Sequence, residues 1–557
     1  MKFTTQAPFA SRRGLRLFRS STPSGEGDRK PGASRFSPLL FLLLLLALPG
    51  GCQKSEPHAD LVIANGMEPE SIDPALITGL ADMRVVGALF EGLTRLDPRT
   101  AEAIPGLAER WEISPDGRTY TFHLRTNLTW STGESITSAD VVFSWIRALD
   151  PVTASDYASQ LYYIKNAEAF NAGTLKDPAQ VGVQALDPLT VQVELNHPTA
   201  FFLDLCAFCT LNVVPRQAIV KNGDRWVVQQ PVPVSGAYEL VGWRLHDRIR
   251  VRKNPRYWDA ANTKTAVVDF LPITSPSTAL NLYETRGVDI VWDKDLVPTE
   301  LLDILLKRPD FHTFPYLGIY FFRFNVNHKP FDNPKVRLAL AMAIDKERIT
   351  RKITRGGEVP AGNFTPPGIA RYHPPAGLPY DPAQARRLLA EAGYPGGKGF
   401  PRFQYSFNAA EIHAKIAVEM QQMWRDELGI EMELKQMEWG VYLAEQTAVD
   451  FEISRSSWIG DYNDPETFLN LWMSNNGNNR TGWKNARYDQ LLKEADEQTD
   501  LAKRESRLRE AEEIVLREGV PAVPLYFYTG FNYYRENIKG VHANVLDMHP
   551  LNAIWKE

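Results

Sequence analysis

Apolar and polar residues alternate where Tyr120, Phe122 and Leu124 share one face and Thr121 and His123 the other. That period of two, after the turn signal Ser114-Pro115-Asp116-Gly117, predicts a half-buried strand. Leu61 to Ala64 and the set Val191, Val193 and Leu195 predict two more. Elsewhere the period lengthens to that of a helix. Thr137-Ser138-Ala139-Asp140 has the form of a capping box, and Val142, Trp145, Ile146 and Leu149 follow at helical spacing. Asn333-Pro334 predicts a second helix start, with Val336, Ala339, Leu340, Ala343 and Ile344 facing inward. Asp381-Pro382 predicts a third, carrying Leu388 and Leu389 and stopped by Gly393. Strands and helices are mixed along the whole chain with no repeat period, which indicates an α/β protein. No long Pro/Ser/Gly linker interrupts the pattern, so strands are expected to cross between domains in place of a flexible tether.

The longest apolar run, Pro38 to Leu48, has a different meaning. It has 11 residues, and a membrane-spanning helix needs about 20. Arg12, Arg13, Arg16, Arg19, Arg29, Lys30 and Arg35 precede it, and Gly50, Gly51 and Cys52 follow. Positive, apolar and small residues in that order make a secretory signal over residues 1–51. A cysteine at the cut resembles a bacterial lipoprotein signal, which implies that Cys52 is lipidated and residues 52–60 form a tether. Cleavage without lipid is the competing reading, because Pro49 stands where such signals place leucine.

The chain has 62 Lys and Arg against 67 Asp and Glu, of which residues 1–51 hold 8 and 2. The remaining 506 residues therefore carry a net charge of −11. Nucleic acid is excluded as a partner, since phosphate binding needs a basic stripe. The length exceeds what one core fills and predicts two or three domains. Cys206 and Cys209 have C-x-x-C spacing, which admits a redox dithiol or half a metal site. With no second pair and no histidine at ligand spacing, they read as buried thiols or a local disulfide. Gly393 to Gly399 imitates a phosphate loop, but it follows a helix and has Gly399 where magnesium needs Ser or Thr. Neither H-E-x-x-H nor G-x-S-x-G occurs.

From about Leu61 onward come Leu89-Phe90-Glu91-Gly92-Leu93, Ala139-Asp140-Val141-Val142-Phe143-Ser144-Trp145, Arg252-Lys253-Asn254-Pro255-Arg256-Tyr257-Trp258 and Ala343-Ile344-Asp345-Lys346. In this order the segments resemble the peptide-binding lipoproteins of ABC importers. Trp458-Ile459-Gly460-Asp461-Tyr462-Asn463-Asp464-Pro465 is similar to the W-x-x-D-Y-N-[DE]-P segment of the oligopeptide-binding branch. The resemblance implies a two-lobed type II periplasmic-binding-protein fold of three domains. Domain I is expected over 61–80, 205–317 and 529–557, domain II over 81–204 and domain III over 318–528. It further implies that Asp461 grips a peptide's ammonium, the other reading being a turn cap. Gly66, Met67, Glu68, Pro69 and Glu70 are expected to form one peptide-pairing strand, and Ser457, Trp458 and Ile459 a second backbone contact. Trp439 is expected to wall a pocket or pack in the core. His413 and Arg455 are expected near the peptide's carboxylate, with a solvated helix face as the alternative for His413. Tyr526 or Tyr528 is expected at the cleft.

By the same resemblance the partners are peptides, an ABC permease and, through the lipid, a membrane on the periplasmic side. The receptor is expected to be a monomer with no cofactor, no metal and no catalysis. Dipeptides, murein peptides and a nickel chelate are the other ligands to consider, and an extracytoplasmic hydrolase or a sensor the other classes. Some relatives have a disulfide where this chain has Gly318 and Ile459, and a basic residue where it has Gln446, so peptide length stays open.

Overall fold

A computed structural model describes residues 58–369 and 371–557. The signal segment, Cys52 and residues 52–57 of the tether lie outside the described residues, as do the side chains of Trp439 and Gly440.

One mixed sheet of 11 strands organises residues 58–557. In chain order its strands are β1 (Leu61–Ala64), β2 (Tyr238–Arg244), β3 (Arg248–Lys253), β4 (Val267–Leu271), β5 (Ile290–Val291) and β6 (Phe311–Phe324). They continue with β7 (Val359–Pro360), β8 (Phe403–Asn408), β9 (Met432–Met437), β10 (Ile453–Ile459) and β11 (Ala522–Tyr534). Their order across the sheet is β9-β8-β10-β6-β11-β5-β1-β4-β3-β2, with β7 on the side of β11. A separate four-stranded antiparallel sheet joins Ala108–Ile113, Thr119–Leu124, Thr190–Glu194 and Val183–Asp187.

The long strands β6 and β11 run antiparallel. The first part of β6, Phe311 to Pro315, pairs with Thr529 to Tyr533, and its last part, Ile319 to Arg323, pairs with Ala522 to Phe527. The register shifts between Pro315 and Ile319 and again after Tyr320. Extra residues in a ladder raise its local twist and let it bend. Gly318 sits in this break, where a Cβ would come within 2.9 Å of the Tyr528 ring and 2.5 Å of Ile459. Its lack of a side chain makes room for both.

The strand predicted from Tyr120 to Leu124 alternates between buried and half-buried residues. The capping box of Thr137 and Asp140 is present and opens the helix Ser138–Leu149. The buried face of that helix differs from the expected one: Val141, Trp145, Ala148 and Leu149 are buried, and Val142 and Ile146 only half-buried. Polar contacts set this rotation. Trp145 donates to the Leu211 carbonyl at 2.9 Å, and Ser144 accepts from Val214 N at 2.9 Å. Asn333 caps the helix Pro334–Met342, and Asp381 caps Pro382–Glu391. Gly393 has φ +99°, ending the latter as predicted. Cys206 and Cys209 are buried free thiols.

Candidate functional site

Strand β10 leaves one edge of the sheet open. Along one side it pairs with β6 from Ile453 to Ile459. On the other side β8 meets only Ile453 and Ser454. From Arg455 to Ile459 the second edge has no strand beside it among the described residues, and Ile459 is 43 % exposed. Such an edge offers main-chain donors and acceptors to any extended chain.

Asp461 lies two residues past the end of this strand. Its carboxyl is half-buried, and burial pushes its pKa up to about 6, opposed by a hydrogen bond from Gln160. No cation forms an ion pair with it among the described residues. Tyr157 stands close by, its own pKa pushed up to about 12 by burial and by the charge of Asp461. The turn-cap reading of Asp461 does not hold. That work falls to Asp464, whose Oδ1 accepts from Glu466 N at 3.0 Å and whose carboxylate is gripped by Arg504 at 2.8 and 2.9 Å. The Asp461 amide donates to Thr467 Oγ1 at 3.2 Å, which orients the residue and leaves its carboxylate to Gln160, with no cation paired to it among the described residues.

Arg455, six residues earlier, is the opposite case. It is buried, with Nη1 3.3 Å from Asn408 Oδ1, Nη2 3.3 Å from the Tyr528 hydroxyl and its guanidinium 4.8 Å from the centre of the Tyr320 ring. Its Nε is buried without a partner, and no carboxylate pairs with it among the described residues. A buried cation without an anion is costly and is an anion site in waiting. Gln446 donates to the Arg455 carbonyl at 2.6 Å and to Ser454 Oγ at 2.9 Å. It fixes the strand and offers no charge.

His413 is buried, so the solvated-face reading is corrected. Tyr320 lies 3.4 Å from its Nδ1, and burial together with Arg455 pushes its pKa down to about 3. The ring is neutral at physiological pH. Tyr526 is buried and stacked on Tyr320 at 4.9 Å, while Tyr528 is half-buried with its hydroxyl on Arg455.

Gly66 to Glu70 form no strand; the segment bends, and Gly66 has φ +89°. A Cβ at Gly66 would lie 2.8 Å from Asp293 Oδ2, so the backbone there passes close to a carboxylate. Side-chain bonds pull the segment out of strand geometry. Glu68 accepts from Trp243 Nε1 at 2.5 Å and from His246 N at 2.9 Å, and Asp82 accepts from Glu70 N at 2.7 Å. Met67 is exposed. Ser457 and Trp458 are half-buried on β10. Trp439 falls outside the described side chains. Gln160, Tyr157, Asn408 and Tyr320 are site residues that sequence reasoning misses. None belongs to a motif, and only the tertiary fold brings them beside Asp461 and Arg455. Among the described residues no group of three or more His, Cys, Asp or Glu could hold a metal, and no helix is long and apolar enough to cross a membrane.

An α/β chain whose longest strands serve both of its halves, with an open strand edge ending in unspent charges, is a two-lobed receptor of the type II periplasmic-binding class. The profile of bacterial extracellular solute-binding proteins, family 5 Middle, matches residues 102–480, and the chain belongs to that family. It is 35% identical over 511 residues to the oligopeptide-binding protein OppA of Bacillus subtilis, covering 88% of this chain and 91% of that one. It is 35% identical over 492 residues to the periplasmic oligopeptide-binding protein OppA of Salmonella typhimurium, covering 86% and 89%. Among solved structures, the unliganded open form of the periplasmic murein tripeptide binding protein MppA superposes with a TM-score of 0.80 at 34% identity, covering 90% of this chain and 98% of that one.

Proposed function

We propose that this chain is the substrate-binding component of an ABC importer and captures extended oligopeptides. The observation that carries the reading is the pair of unspent, opposite charges at the two ends of one open strand edge. Asp461 and Arg455 are six residues apart, roughly 20 Å of extended chain. A short peptide lying along β10 presents its ammonium to Asp461 and its carboxylate to Arg455. Main-chain hydrogen bonds to Ser457, Trp458 and Ile459 hold it whatever its sequence. Gly66 to Glu70 supply the facing wall, and Tyr526, Tyr528 and His413 line the pocket about Arg455. His413 acts there as a neutral hydrogen-bonding ring.

The division into domain I (61–80, 205–317, 529–557), domain II (81–204) and domain III (318–528) is supported by the register break that falls between Pro315 and Ile319. Peptide must favour the closed lobes over the open ones, and the closed form then docks on a permease. The binding role needs neither cofactor nor catalytic group. The mature protein works as a monomer outside the cytoplasm, held to the membrane by lipid on Cys52. Murein peptides are the second reading, favoured by the similarity to the murein tripeptide receptor.

The test is calorimetric titration of ligand-stripped protein with di- to pentapeptides, free and N-acetylated. Free amines are expected to bind and acetylated peptides to lose most of their affinity. Equal binding of both forms removes Asp461 from its role as the ammonium's partner, and turnover of the peptides removes the transport reading.

A further inference from the structure

A cavity of about 290 Å³ lies at the start of β10, lined by Ser406, Lys435, Glu445, Phe451 and Ile453, with Asp450 and Glu452 beside them. None of the residues around it belongs to the open edge from Arg455 to Ile459. The sheet sets its polar floor. Ser406 on β8 is in register with Lys435 on β9 and Ser454 on β10, so the three side chains share one face. The helix Trp439–Ala448 follows β9 and brings Glu445 over that face. There Glu445 Oε2 accepts from Lys435 Nζ, while the next residue, Gln446, reaches Ser454 Oγ at 2.9 Å.

Two polar atoms of these walls have no hydrogen-bond partner among the described residues, Glu445 Oε1 and Ser406 Oγ. Bulk water does not serve them, because the Glu445 side chain is 7% exposed and Ser406 only 1%. A buried carboxylate oxygen left unbonded is costly. Lys435 does not relieve it, since its ammonium is held on the other oxygen. The remaining charges favour a positive ligand. Three carboxylates, Glu445, Asp450 and Glu452, face one lysine and His328, whose Nδ1 lies 3.5 Å from Glu452 Oε1. No cluster among the described residues could hold a metal, so the cation must bind through N–H donors. An ammonium has three, enough for Glu445 Oε1 and Ser406 Oγ together. Phe451 and Ile453 are buried and give a carbon chain an apolar wall. A water takes up about 30 Å³, so the cavity has room for several carbons.

We propose that this cavity binds a short-chain primary amine, its ammonium on Glu445 Oε1 and Ser406 Oγ and its carbons against Phe451 and Ile453. The site is separate from Asp461 and stands whether or not the chain takes peptides.

The experiment is a calorimetric titration of ligand-stripped protein with n-butylammonium chloride in phosphate buffer, with ionic strength held constant by sodium chloride. Wild type is expected to bind it saturably. Tetramethylammonium, charged but without an N–H, and n-butanol, without a charge, are expected to bind at least about tenfold more weakly, the size of one charge-assisted contact. Glu445→Gln keeps the shape and removes the charge, and is expected to lose about tenfold or more. Ser406→Ala is expected to lose severalfold, and it carries the test should Glu445→Gln fold poorly. Asp461→Asn, which disables the other ammonium partner, is expected to bind the amine as wild type does. Binding that survives undiminished in Glu445→Gln or Ser406→Ala overturns the proposal. Binding lost in Asp461→Asn places the amine in the peptide site and overturns it as well. No saturable binding of butylammonium by wild type overturns it too, and leaves the peptide reading standing on Asp461 and Arg455.

Discussion

The ring of Tyr462 lies flat on Phe201, 4.1 Å between centroids and 4° from parallel. Tyr163 meets Phe201 edge-on at 5.1 Å and places its hydroxyl 3.2 Å from that of Tyr462. Asp461 is thus tied, through its neighbour in the chain, to an aromatic cluster formed by residues far away in sequence. Phe201→Leu removes the stack and is expected to cost about 1–2 kcal/mol of stability. Affinity for free-amine peptides is expected to fall severalfold as Asp461 loses its fixed position, while acetylated peptides change little. Equal losses for both peptide forms would show that the stack serves only the fold.

The raised pKa of Asp461 sets a pH dependence. Above about 6 the carboxylate is charged in the empty receptor, and an ammonium binds without a proton change. Below that value the receptor must first release a proton, so affinity is expected to fall by up to about tenfold per pH unit. Titrations from about pH 7.5 to about pH 5 should show this weakening, and Asp461→Asn should give a weak, flat profile. His413 is already neutral over this range, so His413→Gln should keep the wild-type slope.

Arg504 compensates two buried acids. It pairs with Asp464 at 2.8 Å and with Glu466 at 3.1 Å. Burial, with nearby Asp496, pushes the Glu466 pKa well above the carboxylate range, and Asp496 is itself pushed up to about 6. Arg504→Met leaves these carboxyls without a counter-ion and is expected to destabilise the protein by about 3–5 kcal/mol. Chemical denaturation at about pH 7 measures this, and the deficit should shrink as the pH falls below about 6, where Asp496 takes up a proton.

Lys346 is a buried lysine whose ammonium donates to the Ala361 carbonyl at 2.7 Å, and burial pushes its pKa down to about 7. Between about 7 and the unfolded value near 10.5, the folded state binds fewer protons than the unfolded one. The stability contribution of this residue therefore rises with pH across that window. Below about pH 7 the full cost of burying the charge is present. Lys346→Met is expected to raise Tm by about 2–4 °C near pH 6, with the gain fading toward about pH 9. A lower Tm in the acidic measurement would mean that the bond to Ala361 outweighs the buried charge.

Much of this fold could be read from local chemistry. Caps at Asn333, Asp381 and Thr137, and the alternation at Tyr120 to Leu124, are short-range signals, and the structure keeps each of them. The rotation of the helix Ser138–Leu149 is not legible locally, because its buried face is chosen by Leu211 and Val214, distant in the chain. The same limit applies at the site. Asp461 and Arg455 stand in a recognisable segment, but their unspent charges follow from which side chains fail to reach them, and no local pattern records that. Gly66 to Glu70 illustrate the reverse: their sequence allows a strand, and distant partners at Trp243, His246 and Asp82 bend it away.

The pairing of the two long strands β6 and β11 has a consequence for how the protein comes apart. On the proposed division β6 and β11 would each lie partly in domain I and partly in domain III, so neither domain could unravel without stripping hydrogen bonds from the other. Between these two strands, among the described residues, there is no seam along which one domain could melt first. The chain's heat denaturation should be one sharp transition, a cooperativity that chains of this length with separable domains lack.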